Sequence, residues 1–169
     1  MYKELLQGRF MNHPLHPLFV HLPVGAWVAS LICDIFSLLT DNSLLASASY
    51  YCIIIGCVGA LIAVIPGFAE FVDLPKDSVT RRIATTHMLL NASVTILFFV
   101  NFFVRRSGSG GPPFSVTAGD LIMSIISITL LGVSGYLGGL LVYDYGVGQK
   151  RQKGSQKKSE EKPYLREVA

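Results

Sequence analysis

The sequence predicts an all-α membrane protein, a four-transmembrane-helix up-and-down bundle with both termini in the cytoplasm, and three observations carry that prediction. Hydrophobic residues make up 51% of the 169 and charged residues 15%, with a mean hydropathy of +0.50, which is too apolar for an ordinary soluble domain. The apolar residues gather in four blocks, at about 18–40, 46–69, 83–104 and 119–143, each near the ~20 residues that cross a hydrocarbon core. The cations are unevenly divided between the two ends of those blocks.

The opening ten residues, MYKELLQGRF, have no short apolar core with a small-residue cleavage site, so the first helix is expected to be retained. It follows HPLHPLFVHLPVG, in which Pro14, Pro17 and Pro23 are expected to delay regular helix until about Leu22. The first connection, TDNSL from Thr40 to Leu44, is so short that the first two helices must be antiparallel neighbours. In the second helix Ser49, Cys52, Gly56, Gly59, Ala63 and Gly67 recur every three or four residues, a smooth face suited either to close helix packing or to a flat cofactor. The second connection carries Glu70, Asp73, Lys76, Asp77, Arg81 and Arg82. The third, SGSGGPP from Ser107 to Pro113, breaks helix strongly. Gly132, Gly135 and Gly139 make a second groove on the fourth helix. Residues 1–17 are expected to form a cytoplasmic segment, 18–145 the transmembrane domain, and 146–169 a basic tail that stays unfolded or rests on anionic headgroups.

Of the fourteen Lys and Arg, twelve fall at one end: Lys3 and Arg9, then Lys76, Arg81 and Arg82, then seven in the tail. Only Arg105 and Arg106 fall at the other. The positive-inside bias therefore places the termini in the cytoplasm of a multi-pass cell-membrane protein. Cys33, Cys52 and Cys57 lie within apolar blocks and read as small buried hydrophobes. The connections and tails are too short to bury a core of their own, so any chemistry belongs among the helices. Nucleotide-loop, nucleophile and hydrolase motifs are missing from the sequence, and nothing suggests nucleic acid as a partner.

Four histidines lie toward the cytoplasmic half: His13, His16, His21 and His87. His21 and His87 are expected at nearly the same depth on helices that run in the same direction. Two opposed imidazoles in a four-helix bundle would make an axial pair for a b-type haem, with His13 and His16 nearby. Asn91 follows His87 by one turn, and Thr95 follows Asn91, a polar stripe expected to face the interior. The competing arrangement is a divalent metal held by His13 or His16 with Glu70 or Asp73, since imidazole and carboxylate suit zinc or iron. A third arrangement needs no cofactor: a buried polar network that fixes helix register. Toward the outer face, Asp34 and Asn101 share a depth with Tyr50, Tyr51 and Asp120. Asp34 either belongs to a proton path or bonds as a neutral acid to a neighbouring helix. No histidine falls in that layer, so a second haem is not expected.

HPLHPLFVHLPVGAWVASLICD, PGFAEFVDLP, RRIATTHMLLN and GYLGGLLVYDYGVG together resemble the domain of unknown function 2231 family of bacterial four-helix membrane proteins. That resemblance implies a bundle similar to the membrane cytochromes b. It also implies a redox setting, because some members are joined to Rieske iron–sulfur domains. The histidines that match are His13, His16, His21 and His87, and the acids are Asp34 and Asp73. Members often carry a histidine in the closing motif where this chain has Tyr145. The expected function is an electron carrier or accessory redox subunit rather than an enzyme on its own. Its expected partners are the bilayer, other membrane redox proteins or a Rieske-type protein, and further copies of itself in an oligomer.

Overall fold

The structure, a computed structural model, describes residues 15–113 and 115–148. The described residues form four long helices: α1 (Leu15–Thr40), α2 (Ser43–Val72), α3 (Val79–Ser109) and α4 (Ala118–Tyr143). Each is long and apolar enough to cross a membrane. The two shortest, α1 and α4, at 26 residues each, span about 39 Å at 1.5 Å per residue, more than a hydrocarbon core of about 30 Å requires.

Local chemistry sets the ends. Asp41 takes a left-handed φ of 50°, and the Asn42 side chain accepts from the Leu44 N–H at 2.9 Å, so α1 reverses into α2 within two residues. Ser78 caps α3. Thr117 and Asp120 form a reciprocal capping box at the start of α4, which satisfies two otherwise orphaned groups. Gly110, at φ 69°, donates its N–H to the Arg106 carbonyl at 2.8 Å and stops α3. This helix therefore runs past the expected end near 104 and carries both Arg105 and Arg106 within it.

The start of α1 differs from expectation too. It is helical from Leu15, well before Leu22, because Pro17 lies in the first turn, where a missing N–H costs nothing. Pro23 lies inside the helix and is buried. It packs on Gly59 of α2, where an added Cβ would come within 3.0 Å of the proline ring.

Side chains meet along a seam with intervals of three and four. On α1 the buried positions are Pro23, Trp27, Ser30, Asp34 and Ser37; on α3 they include Ala84, Val94, Phe98, Asn101 and Arg105. On α4 they are Asp120, Ser124, Ser127, Leu131, Ser134 and Leu141. This is the spacing of helices crossing at shallow angles. At mid-depth Trp27 stacks on Phe98 with ring centres 4.6 Å apart, among Ile53, Cys57, Val94 and Leu131. Gly56 lies directly against the indole, and any side chain there would overlap it.

The helices pair unequally. α1 packs chiefly on α2 and α3 chiefly on α4, while the α2–α3 and α1–α4 seams are much slimmer. The bundle is thus two hairpins laid together. The connection between the hairpins is held by Arg81, whose guanidinium donates to the Leu74 carbonyl at 2.8 Å and lies 4.4 Å over the Phe71 ring.

Candidate functional site: two polar layers in the bundle

Charged and strongly polar groups are expensive in a bilayer and survive there by facing inward and pairing. In this bundle they collect in two layers, one on each side of the Trp27–Phe98 stack.

The first layer centres on Arg105. Its guanidinium grips the Asp34 carboxylate through two bonds, Nη1 to Oδ1 at 2.8 Å and Nη2 to Oδ2 at 2.7 Å, the planar fork geometry that suits this pair. Nη1 also donates to Ser49 Oγ at 3.1 Å, and Nε to Asn101 Oδ1 at 2.7 Å. Ser124 donates to Asp34 Oδ2 at 2.9 Å, while Asn101 Nδ2 reaches the Asp120 carbonyl and Ser124 Oγ, both at 3.2 Å. Asp120 Oδ1 lies 3.8 Å from Arg105 Nε. The Arg105 and Asp34 side chains have no solvent exposure. One cation therefore draws together residues from all four helices.

Asp34 thus bonds to neighbouring helices, with a guanidinium as its main partner. Arg105 lies within α3 and is buried, whereas Arg106 beside it is exposed. Asn101 falls in this layer as expected. The central role of Arg105 was legible in the spacing: Arg105 follows Asn101 by four and shares the inward stripe of His87, Asn91, Val94 and Phe98, whereas Arg106 is one position out of phase. Ser49 and Ser124 gave no such signal, because serine is common on membrane helices for packing alone.

The second layer centres on two imidazoles. His16 on α1 and His87 on α3 lie with ring centres 6.4 Å apart and planes at 87°. His16 Nδ1 is 2.9 Å from the Ala63 carbonyl on α2, and His87 Nδ1 is 2.8 Å from the Ser134 carbonyl on α4. A carbonyl only accepts, so each Nδ1 carries the hydrogen and each Nε2 presents its lone pair. Ser134 Oγ also lies 3.0 Å from His87 Nδ1 and donates to the His87 carbonyl at 3.2 Å. Asn91 Nδ2 is 3.0 Å from His87 Nε2 and equally near the His87 carbonyl. Glycine gives each ring its place. A Cβ on Gly67 would come within 2.7 Å of the His16 ring, and one on Gly138 within 3.0 Å of the His87 ring.

The structure does not bring His21 and His87 together. His21 is exposed on the outside of α1, where among the described residues its Nδ1 meets only the carbonyl of Leu18 on its own helix, at 3.4 Å. The physical reason is the phase of α1: Pro23, Trp27, Ser30 and Asp34 fix the inward face, and His16 lies seven residues before Pro23 on that face while His21 does not. His13 lies outside the described residues. Glu70 is half-buried near the end of α2, and Asp73 is its exposed C-cap. Among the described residues no three His, Cys, Asp or Glu side chains converge as a metal-ligand group. Tyr145 follows α4, half-buried, with its N–H on the Leu140 carbonyl.

The four apolar helices and the buried charges describe an integral membrane protein. No curated protein and no solved structure matches the chain. The model of one family, described as predicted membrane protein, domain of unknown function 2231, matches residues 12–151, and the chain belongs to that family.

Proposed function

We propose that this protein binds a b-type haem between His16 and His87 and carries one electron at a time within the membrane. The observation that carries this reading is the separation of the two rings, 6.4 Å. Two bonds from imidazole nitrogen to metal, at about 2.0–2.1 Å each, plus the reach from each nitrogen to its ring centre come to roughly 6 Å. Each imidazole is also fixed by Nδ1 on a backbone carbonyl, the arrangement that orients metal-ligating histidines. The two histidines come from α1 and α3, one from each hairpin, so both hairpins would hold the group. When bound, the haem would supply a one-electron couple whose potential follows from ligand choice and burial. The protein's own part is to hold the two rings and keep water out. The charge distribution supports a cytoplasmic position for this layer and for both termini; the proposed exchange partners are other membrane redox proteins or a Rieske-type domain.

A second reading rests on Asn91. Its amide nitrogen already meets His87 Nε2 at 3.0 Å, so a haem must displace it. In a cofactor-free scaffold the same contact would simply complete a structural hydrogen-bond set. The visible spectrum of detergent-purified protein expressed with ample haem, oxidised and then reduced, separates the two. A sharp reduced alpha band that disappears in His16→Ala and in His87→Ala but survives in His21→Ala is expected. A featureless spectrum from well-folded protein supports the scaffold, and a band that survives His16→Ala removes this axial pair.

A further inference from the structure

Charges and donors in the arginine layer do not balance. Two carboxylates, Asp34 and Asp120, share one guanidinium there, so the formal charge of the buried cluster is one negative. A guanidinium has five N–H donors, and those of Arg105 are all engaged: Nε by Asn101, Nη1 by Asp34 and Ser49, Nη2 by Asp34 and Ser124. Both Asp34 oxygens accept from it. Asp120 Oδ2 accepts from the Thr117 N–H at 2.9 Å and the Thr117 hydroxyl at 2.8 Å. Asp120 Oδ1 meets no hydrogen-bond donor among the described residues, although the residue is only 4% exposed. Arg105 Nε lies 3.8 Å from it, beyond hydrogen-bond length, with its hydrogen turned to Asn101.

A buried carboxylate oxygen without a donor is costly in a folded protein, and the first turn of a helix favours negative charge at this position. We propose that Asp120 Oδ1 binds one small monovalent cation, an alkali-metal ion or a proton, which balances the charge of the layer. The other charged groups of the layer are Asp34 from α1 and Arg105 from α3; α2 contributes Ser49, with Tyr50 buried beside it, while Asp41 and Arg106 at the same end are exposed. Thr117, Ala118 and Gly119 are exposed too, so water reaches to within one turn of the carboxyl and the cation enters from that end. The site lies across the Trp27–Phe98 stack from the two imidazoles and is independent of the haem reading. Because the cluster joins all four helices, its occupancy is read in the stability of the whole bundle.

Two measurements on the full chain in detergent test it. Melting at fixed pH in sodium chloride and in choline chloride of equal ionic strength reads an alkali-metal ion, and an infrared C=O band of a protonated carboxyl at neutral pH reads a proton. The wild type is expected to give one of these signals, either a melting temperature several degrees higher in sodium or the infrared band. Asp120→Asn, whose amide oxygen can still accept from Thr117, is expected to lose the signal and to melt no lower than the wild type in choline. Thr117→Ala breaks the cap but leaves Oδ1, and is expected to melt lower while keeping the signal. Neither signal in the wild type, or a signal that survives Asp120→Asn or disappears in Thr117→Ala, overturns the site. So does a lower melting temperature for Asp120→Asn in choline, which would make the Asp120 charge a required partner of Arg105.

Discussion

The arginine layer and the histidine layer occupy equivalent inward positions on the same helices, yet they hold the bundle in different ways. A guanidinium has five donors in a rigid fork and a long stem. Arg105 therefore reaches three other helices and makes the four into one unit. A neutral imidazole has one donor and one acceptor. Once each Nδ1 is bound to the carbonyl of the adjacent helix, only Nε2 remains for a further bond, and that of His87 lies 3.0 Å from the Asn91 amide nitrogen on its own helix. The lesson is that donor number, as much as polarity, decides how many helices one buried group can join.

The most severe way to break that contrast is Asp34→Ala. It leaves Arg105 buried without its carboxylate, and we expect a loss of about 3–5 kcal/mol, read as a collapse in the yield of monodisperse protein and a large fall in melting temperature. Replacing both partners by apolar residues, Asp34→Leu with Arg105→Met, is expected to be milder than Asp34→Ala alone, because no charge is then stranded. A double variant as damaged as the single one would show that the pair matters for something other than charge compensation. His87→Ala comes next, at about 1–2 kcal/mol for the hydrogen bond to Ser134 and the partner left behind. The protein should still fold, and a loss as large as that of Asp34→Ala would remove the distinction between the layers. His21→Ala is expected to leave the melting temperature unchanged, since an exposed residue with one weak local contact contributes little. A clear fall there would mean that this face is covered by a partner.

The fold was legible in the sequence to a large degree, since four apolar blocks with short connections leave few other arrangements. The sites were legible by type and depth but not by partner. Asp34 and Asn101 were recognised as one polar layer and His87 with Asn91 as another. The pairing of His21 with His87 follows from depth along the helix alone, whereas phase around it places His21 outside the stripe through Pro23 and Trp27 and His16 on it. The spacing of Arg105 behind Asn101 marks its inward face, but its partner is a carboxylate 71 positions away, which no single segment shows.

By itself, then, the amino-acid sequence determined the membrane environment, the number of spans and the alternation of polar and apolar layers. These follow from hydrophobic length and from the cost of polar groups in lipid, which are properties of single segments. Tertiary structure alone decided which polar groups meet. That depends on the rotational phase of four helices, fixed by the packing of Trp27 on Phe98 and Gly56, and on the two-bond grip of one guanidinium on one carboxylate. Neither is written into any one segment.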